Sequence, residues 1–269
     1  MTLTATPRRH GAGPLLREWR QRRRMSQLDL ASSAEVSPRH LSFVETGRSA
    51  PSRELLLHLA EHLDVPIRER NTLLLAAGYA PVYGERDLDD EEMDPVRTAL
   101  EHILAGHEPY PAVILDRRGD LVLANGAALR LFTEGVADHL LEAPVNAYRL
   151  GLHPDGLASR VRNVAVYSHH LLTRLRREAA LSGDPALAAL LEEVRGFPDL
   201  THPSVADHDP AQMLFLPMEL TTVDGVELTF FSTLATFGTA LDATVAELSI
   251  ESFFPADDAT RRHLRTLAG

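Results

Sequence analysis

The chain has 269 residues, 44% of them apolar, and a formal net charge of −11 at pH 7. That length is enough for two domains, each burying its own core. It holds no cysteine, which excludes disulfides, thiolate zinc sites and cysteine nucleophiles, and it has no run of about 18 apolar residues, so no membrane-spanning helix is expected.

The charge is unevenly spread. Residues 1–83 carry a net +4 and residues 84–269 a net −15. A basic module joined to an acidic one suits a nucleic-acid reader whose remainder is kept off the duplex. All 27 basic residues are arginine. A GC-rich coding bias explains that without any mechanism.

Residues 1–13, MTLTATPRRHGAG, lack the apolar stretch of a secretory signal and read as a disordered tail. RQRRR at 20–24 fits two readings equally, a phosphate-facing tract or a solvated helix end. Two short helices joined by a tight turn follow within residues 26–48. Ser26 is placed to cap the first, with Asp29 three residues on, as in a capping box. Leu28, Ala31 and Ala34 would share one face, with Leu30 at its edge. Ser37 caps the second helix, Pro38 opens it and Gly47 ends it. Leu41 and Val44 face inward. Ser37, Arg39, His40 and Phe43 face outward, beside the free N–H groups of the helix start.

In order and spacing these residues resemble the XRE type of helix-turn-helix domain. Gln27, Ala31, Ser37, Leu41, Glu45 and Gly47 carry the register. The resemblance spans 14–80 and implies an all-α bundle of five helices, near 14–24, 27–34, 38–45, 53–63 and 67–77. It also implies DNA contacts. Gln27 would touch DNA, and Ser37, Arg39, His40 and Phe43 would enter the major groove. Arg39 can pair with guanine and Phe43 can pack on a thymine methyl. Arg48 and Ser49 fall where the following loop meets phosphate. Glu35 stands at a turn position where such domains often have Gly. A positive φ there would cost roughly 1 kcal/mol.

HLAEH at 58–62 fits an inverted zinc-protease pattern, with His58 and His62 four apart. The leucines of that stretch are needed for the bundle core, and no third ligand is evident, so no metal site is expected. His169 and His170 are adjacent rather than spaced for one metal. No Gly-rich phosphate loop or nucleophile elbow appears in the sequence, so neither an enzyme nor a cofactor is expected.

Residues 81–94, PVYGERDLDDEEMD, read as an acidic solvated linker. From 95 to 269 the chain reads as mixed helix and antiparallel sheet. Strands are expected at 112–116 and 121–125 around a tight RRGD hairpin, then helices at 126–133, 157–181 and 186–195. A strand at 212–222 turns at Asp224–Gly225 into another at 226–237. Residues 243–254 alternate, with Ala246, Leu248, Ile250 and Phe254 on the apolar face and Glu247, Ser249 and Glu251 on the polar one. A helix closes the chain.

Two strands, helices, then three antiparallel strands is the order of a PAS-like sensor. With HLSFVETGRS at 40–49, PSRELLLHLAEHLDVPIRERNTLLLAAGYAP at 51–81 and PAVILDRRGDLVLANGAALRLF at 111–132, the chain resembles the MmyB-like transcription regulators. The resemblance implies an α+β protein: a five-helix helix-turn-helix bundle, then a PAS-like ligand-binding domain with a five-stranded antiparallel sheet. It implies a small apolar ligand such as a fatty acid. A sheet with one apolar face covered by helices leaves room for a pocket. Phe132, Tyr148, Tyr167, Phe215, Phe230 and Phe254 either line it or are plain core.

The expected function is a sequence-specific transcription regulator acting in the cytoplasm at the nucleoid. Its expected partners are a palindromic double-stranded operator, a second copy of the chain, and a ligand in the second domain; no membrane is expected. The alternative is an antitoxin-like or scaffold module that binds a protein and regulates only its own promoter.

Overall fold

The computed structural model describes residues 11–198, 217–238 and 240–267. They divide into two compact units: the residues up to Glu85 with Leu241–Ala243, and Arg86–Ala240 with Thr244 onward. Among the described residues no helix is long and apolar enough to cross a membrane.

The first unit is a bundle of five helices: α1 (Ala12–Arg22), α2 (Gln27–Ser33), α3 (Pro38–Glu45), α4 (Arg53–His62) and α5 (Ile67–Ala76). Ser26 and Asp29 form the expected capping box, each side chain accepting from the other's backbone N–H. The core joins Leu16, Trp19, Leu30, Leu41, Leu59 and Leu73. Leu30 is fully buried, whereas Leu28 is 65% exposed. The inner face of α2 is therefore Leu30, Ala31 and Ala34, and Leu28, three positions before Ala31, falls on its outer side. α1 and α3 cross so closely that a Cβ on Gly13 would lie 2.3 Å from the Val44 carbonyl oxygen. Glu35 takes φ +52° and Gly47 φ +71°, both left-handed.

Part of the expected linker is not solvated chain. The Asn71 carboxamide is buried; its oxygen accepts from Val82 N and Tyr83 N, and its nitrogen donates to the Tyr83 carbonyl and Glu85. Residues 82–85 are thereby tied to α5. A 3-10 turn, Glu91–Met93, then buries Met93 in the second unit.

The second unit has an antiparallel five-stranded sheet: β1 (Ala112–Leu115), β2 (Leu121–Ala124), β3 (Met218–Thr221), β4 (Glu227–Thr236) and β5 (Ser249–Pro255), in the order β2-β1-β5-β4-β3. The remaining helices of the chain are α6 (Asp94–His107), α7 (Gly126–Thr133), α8 (Ala147–Leu152), α9 (Val164–Ser182), α10 (Pro185–Arg195), α11 (Ala243–Ala246) and α12 (Asp258–Leu267). Leu100 and Leu104 of α6 pack with Ala112, Ile114 and Ile250 in one cluster. Another cluster joins Phe132 of α7, Leu157, Val161, Leu220, Phe230 and Phe253. Alternate residues of the central strands enter different clusters, so the sheet is covered on both faces.

Three expected elements differ. The 157–181 helix is split: a 3-10 turn (Leu157–Arg160) precedes α9. Val161 instead bridges to Leu220, Arg162 N donates to the Glu219 carbonyl, and the Asn163 side chain holds Pro217 and Glu219. Those ties to β3 cost the helix its first turns. The expected strand at 243–254 begins as α11 and becomes β5 only at Ser249. In the expected strand 212–222, Met218–Thr221 are β3, and 212–216 lie outside the described residues.

Candidate functional site

Helix α3 presents the first candidate surface. Ser37, Pro38, Arg39 and His40 are exposed, while Leu41 and Val44, each 1% exposed, anchor the opposite side. Ser37 caps the helix by position, without a side-chain hydrogen bond. The N-terminal half of the helix is therefore open to a partner, and the first-turn N–H groups add a positive field.

Phe43 is half-buried, with the Arg39 guanidinium 5.4 Å and the Arg48 guanidinium 6.0 Å from its ring centroid. Two cations over one ring make favourable contacts and hold both arginines near the helix. Arg48 N and Ser49 N both donate to the Phe43 carbonyl, closing the C-terminal end after left-handed Gly47.

Gln27 is engaged inside the bundle. Its amide nitrogen donates to Glu45 Oε2 at 2.7 Å. Glu45 is also paired with Arg20, at 2.6 Å and 2.9 Å, and both side chains are buried. Burial alone would raise the Glu45 carboxyl. The hydrogen bonds from Arg20 and Gln27 and the Arg20 charge outweigh burial and hold it below the usual carboxylate range. The same pairing raises Arg20.

The RQRRR tract is thus neither wholly phosphate-facing nor merely solvated. Arg20 also donates to the Met25 carbonyl, and Arg23 donates to the Leu63 and Asp64 carbonyls. Arg22 pairs with Glu18 and lies over Trp19. The sequence held a signal for Arg20: it stands four residues after Leu16, on the apolar stripe of α1.

His58 Nε2 lies 2.8 Å from the Ala34 carbonyl, so it donates there and ties α4 to α2. His139, His153 and Asp155 each offer a ligand atom within 4.8 Å of the others. The Asp155 N–H already donates to His153 Nδ1 at 3.1 Å, so that lone pair is occupied.

The second candidate site is a partly open apolar pocket of about 70 Å³ in the PAS-like unit. Its walls include Val113, Leu115, Leu121, Leu157, Leu171, Met218, Phe132 and Phe253, with Tyr148, Tyr167, Arg174 and Glu251 as its polar part. Of the six aromatic residues expected, Phe132, Tyr148 and Tyr167 line it. Phe230 is fully buried in the adjoining core. Phe215 lies outside the described residues.

Phe254 is not in the lining. It packs on His107 and stacks on Phe231. The reason is register: Glu251 pairs with Val113 and Ile250 with Ile114. Glu251 and Phe253 therefore share the face of Val113 and Leu115, and Phe254 shares that of Ile250. The face of β5 that alternation marks as polar is the one that enters the pocket.

Tyr148 is set by the β1–β2 hairpin. Asp116 accepts from Arg118 N and Asp120 N, and Gly119 takes φ +79°. A Cβ on Gly119 would lie 2.8 Å from the Tyr148 ring, so only glycine lets the ring sit there. The Tyr148 hydroxyl donates to Glu178 Oε2 at 2.6 Å; Arg174 Nε donates to Glu178 Oε1 and Nη1 to Glu251 Oε2, both at 3.0 Å. Sequence reasoning missed Arg174 and Glu251, which are 77 residues apart.

Residues 96–267 match the family model for the MmyB-like transcription regulator ligand binding domain, and residues 16–70 match a helix-turn-helix model. These are ligand-binding and DNA-binding families, not catalytic ones. No curated protein matches the chain. Among solved structures, the chain aligns with "Structure of an RNA-binding Light-Oxygen-Voltage Receptor" at 15% identity and a TM-score of 0.26. That alignment covers 94% of this chain and 62% of that one, so the chain spans under two thirds of its length. With a helix-turn-helix domain and a matched ligand-binding domain covering most of its length, the chain belongs to the MmyB-like transcription regulators.

Proposed function

We propose that this regulator reads a specific operator through α3 and that a small, largely apolar molecule in the PAS-like pocket sets its output. The exposed N-terminal half of α3 carries the reading. Arg39 stands at a free helix start, with Leu41 and Val44 buried behind it. A planar guanidinium there suits the O6 and N7 acceptors of guanine. Ser37, His40 and Phe43 are the other base-facing candidates; Arg48 and Ser49 face phosphate, and Gln27 meets DNA only with its amide held by Glu45.

The ligand would be of the class that includes fatty acids, because most of the pocket wall is hydrocarbon. The protein would act in the cytoplasm at the nucleoid, as a homodimer on a palindrome with half-sites about one helical turn apart. Ligand binding would change output by favouring one arrangement of the two reading heads over another.

The test is Arg39→Ala in a gel-shift assay against genomic fragments. Loss of specific affinity by about 1–3 kcal/mol, roughly fivefold to 150-fold, with folding intact, is the expected result. Unchanged affinity for the operator would overturn the assignment of α3.

A further inference from the structure

Leu241–Ala243 belong to the first unit, although Ala240 before them and Thr244 after them belong to the second. The main chain therefore passes from one unit to the other at three peptide bonds: after Glu85, before Leu241 and after Ala243. A single solvated linker would leave the two units almost independent.

Within the first unit this short segment holds the linker. Asp242 forms a parallel bridge with Gly84, and the Ala243 N–H donates to the Gly84 carbonyl at 2.7 Å. Ala243 is fully buried. Gly84 lies between Tyr83 and Glu85, both bound by the Asn71 carboxamide, and Glu85 also pairs with Arg68 at 2.9 Å. Arg68 and Asn71 stand on α5, whose Leu73 and Leu74 are buried in the bundle. One side of the bridge is thus anchored on the DNA-binding core.

The flanks of the same segment are anchored in the sheet. Leu241–Ala243 interrupt the connection from β4 to β5, which the pairing of Thr236 with Ser249 closes. Phe237 and Leu248, at its ends, pack with Leu100, Ile114 and Ile250. Ser249 also pairs with Leu115 of the pocket wall, and Glu251 and Phe253 of that wall follow on β5. Between these two firm anchorages stands an isolated bridge, outside any strand. One main-chain pair adds little net stability, so it can open without unfolding what lies on either side. Coupling between sites requires such an element, with two discrete arrangements.

We infer that Leu241–Ala243 form a clasp on Gly84, and that the second unit sets operator affinity by shifting the clasp between closed and open. Closed, it ties the linker to the β4–β5 connection; open, it leaves the linker as the remaining constraint on the reading head. A molecule in the pocket changes output only as far as it binds one state of the clasp better than the other. This inference rests on the proposed operator reading and names the element that carries control to it.

The test compares a locked clasp with an opened one in the full chain. The parent has no cysteine, so Gly84→Cys with Asp242→Cys introduces the only two thiols. Neighbouring strands lie about 4.8 Å apart, within the Cα span of a disulfide. Gly84 has no left-handed φ, so a side chain there meets no backbone penalty. The same double variant reduced with dithiothreitol is the control for the two substitutions. Ala243→Pro opens the clasp by removing the donor to Gly84, at the first position of α11, where proline fits. Inserting Gly-Gly beside Leu241, which is 80% exposed, slackens the same tip and serves if the proline variant does not fold. Each protein is titrated by gel shift onto the genomic fragment that the parent retains and onto a random duplex. Locked and open forms are expected to differ at least threefold on the fragment, with the parent at or between them, and less than twofold on the random duplex. A smaller difference on the fragment, or an equal one on the random duplex, overturns the clasp while the operator reading stands. If the parent retains no fragment, the operator reading falls and the clasp falls with it.

Discussion

Arg20 and Glu45 clasp α1 to the last residue of α3 through two hydrogen bonds, at 2.6 Å and 2.9 Å, with the Glu45 side chain wholly buried. Removing one partner of a buried pair strands the other charge, at a typical cost of about 3–5 kcal/mol. Glu45→Ala should therefore destabilise the bundle by about 3 kcal/mol. Trp19, the single tryptophan, is buried in this core and reports its unfolding alone. Urea titration by Trp19 fluorescence makes the measurement. Replacing both partners, Arg20→Met with Glu45→Leu, should recover most of the loss. A double variant as unstable as Glu45→Ala would contradict that account.

The same pair predicts an acid limb. Glu45 sits below the usual carboxylate range in the fold, so unfolded chain takes up its proton first as pH falls. Its contribution is therefore full above the ordinary carboxylate range and is lost as the pH drops through and below it. Arg20, raised further, stays charged throughout. Trp19-monitored stability should fall between about pH 5 and pH 3 in the parent, and more shallowly in Glu45→Gln.

Gly13 gives a second handle on the same helix crossing. Its missing Cβ would lie 2.3 Å from the Val44 oxygen and 2.9 Å from the Glu45 oxygen, both backbone atoms. Neither can rotate away, so α1 must shift. Gly13→Ala should cost about 1–3 kcal/mol in the Trp19 transition, despite alanine's better helix propensity. At Gly47, by contrast, nothing lies within 4 Å of a Cβ. Gly47→Ala should therefore cost only the left-handed backbone penalty, about 1 kcal/mol.

Local signals carried the helix boundaries well. The Ser26 capping box, the Ser37 start of α3, Gly47 and the RRGD hairpin depend on neighbours in sequence, and each stands where the residues imply, although the Ser37 side chain makes no capping hydrogen bond. Side-chain facing was less legible where two faces are buried. β5 alternates Ile250 and Phe254 against Glu251, which by itself reads as core against solvent. With helices on both faces, the alternation no longer separates inside from outside, and Glu251 is drawn inward by Arg174 from 77 residues away. Leu28 and Arg20 are the converse case. Hydropathy puts the leucine inside and the arginine outside, but the helix phase set by Leu16, Leu30 and Ala31 does the reverse.

Asn125 should be the most sensitive polar position in the PAS-like unit. Its side-chain oxygen accepts from Ala112 N at 3.0 Å and caps α7 through Ala128 N at 2.9 Å. Its nitrogen donates to the Tyr110 carbonyl at 2.7 Å, and the residue is buried. Asn125→Ala loses the cap and strands buried groups, a cost of about 3 kcal/mol. Asn125→Asp keeps the cap oxygens but sets a carboxylate against the Tyr110 carbonyl, so it should not rescue. Far-UV dichroism should show the lowered transition while Trp19 fluorescence does not.

Arg48 should separate positioning from reading at the proposed DNA surface. It follows the end of α3, is exposed, and lies 6.0 Å from the Phe43 ring. A phosphate contact there releases counterions whatever the base sequence. Arg48→Ala should weaken operator and random duplex alike and reduce the slope of log K against log salt by about 0.9. Arg39→Ala should instead lower the ratio of operator to random affinity. Titrations at several salt concentrations on both duplexes distinguish the two. A changed ratio in Arg48→Ala would mean that this arginine reads bases, and that α3 lies deeper in the groove than its exposed first half requires.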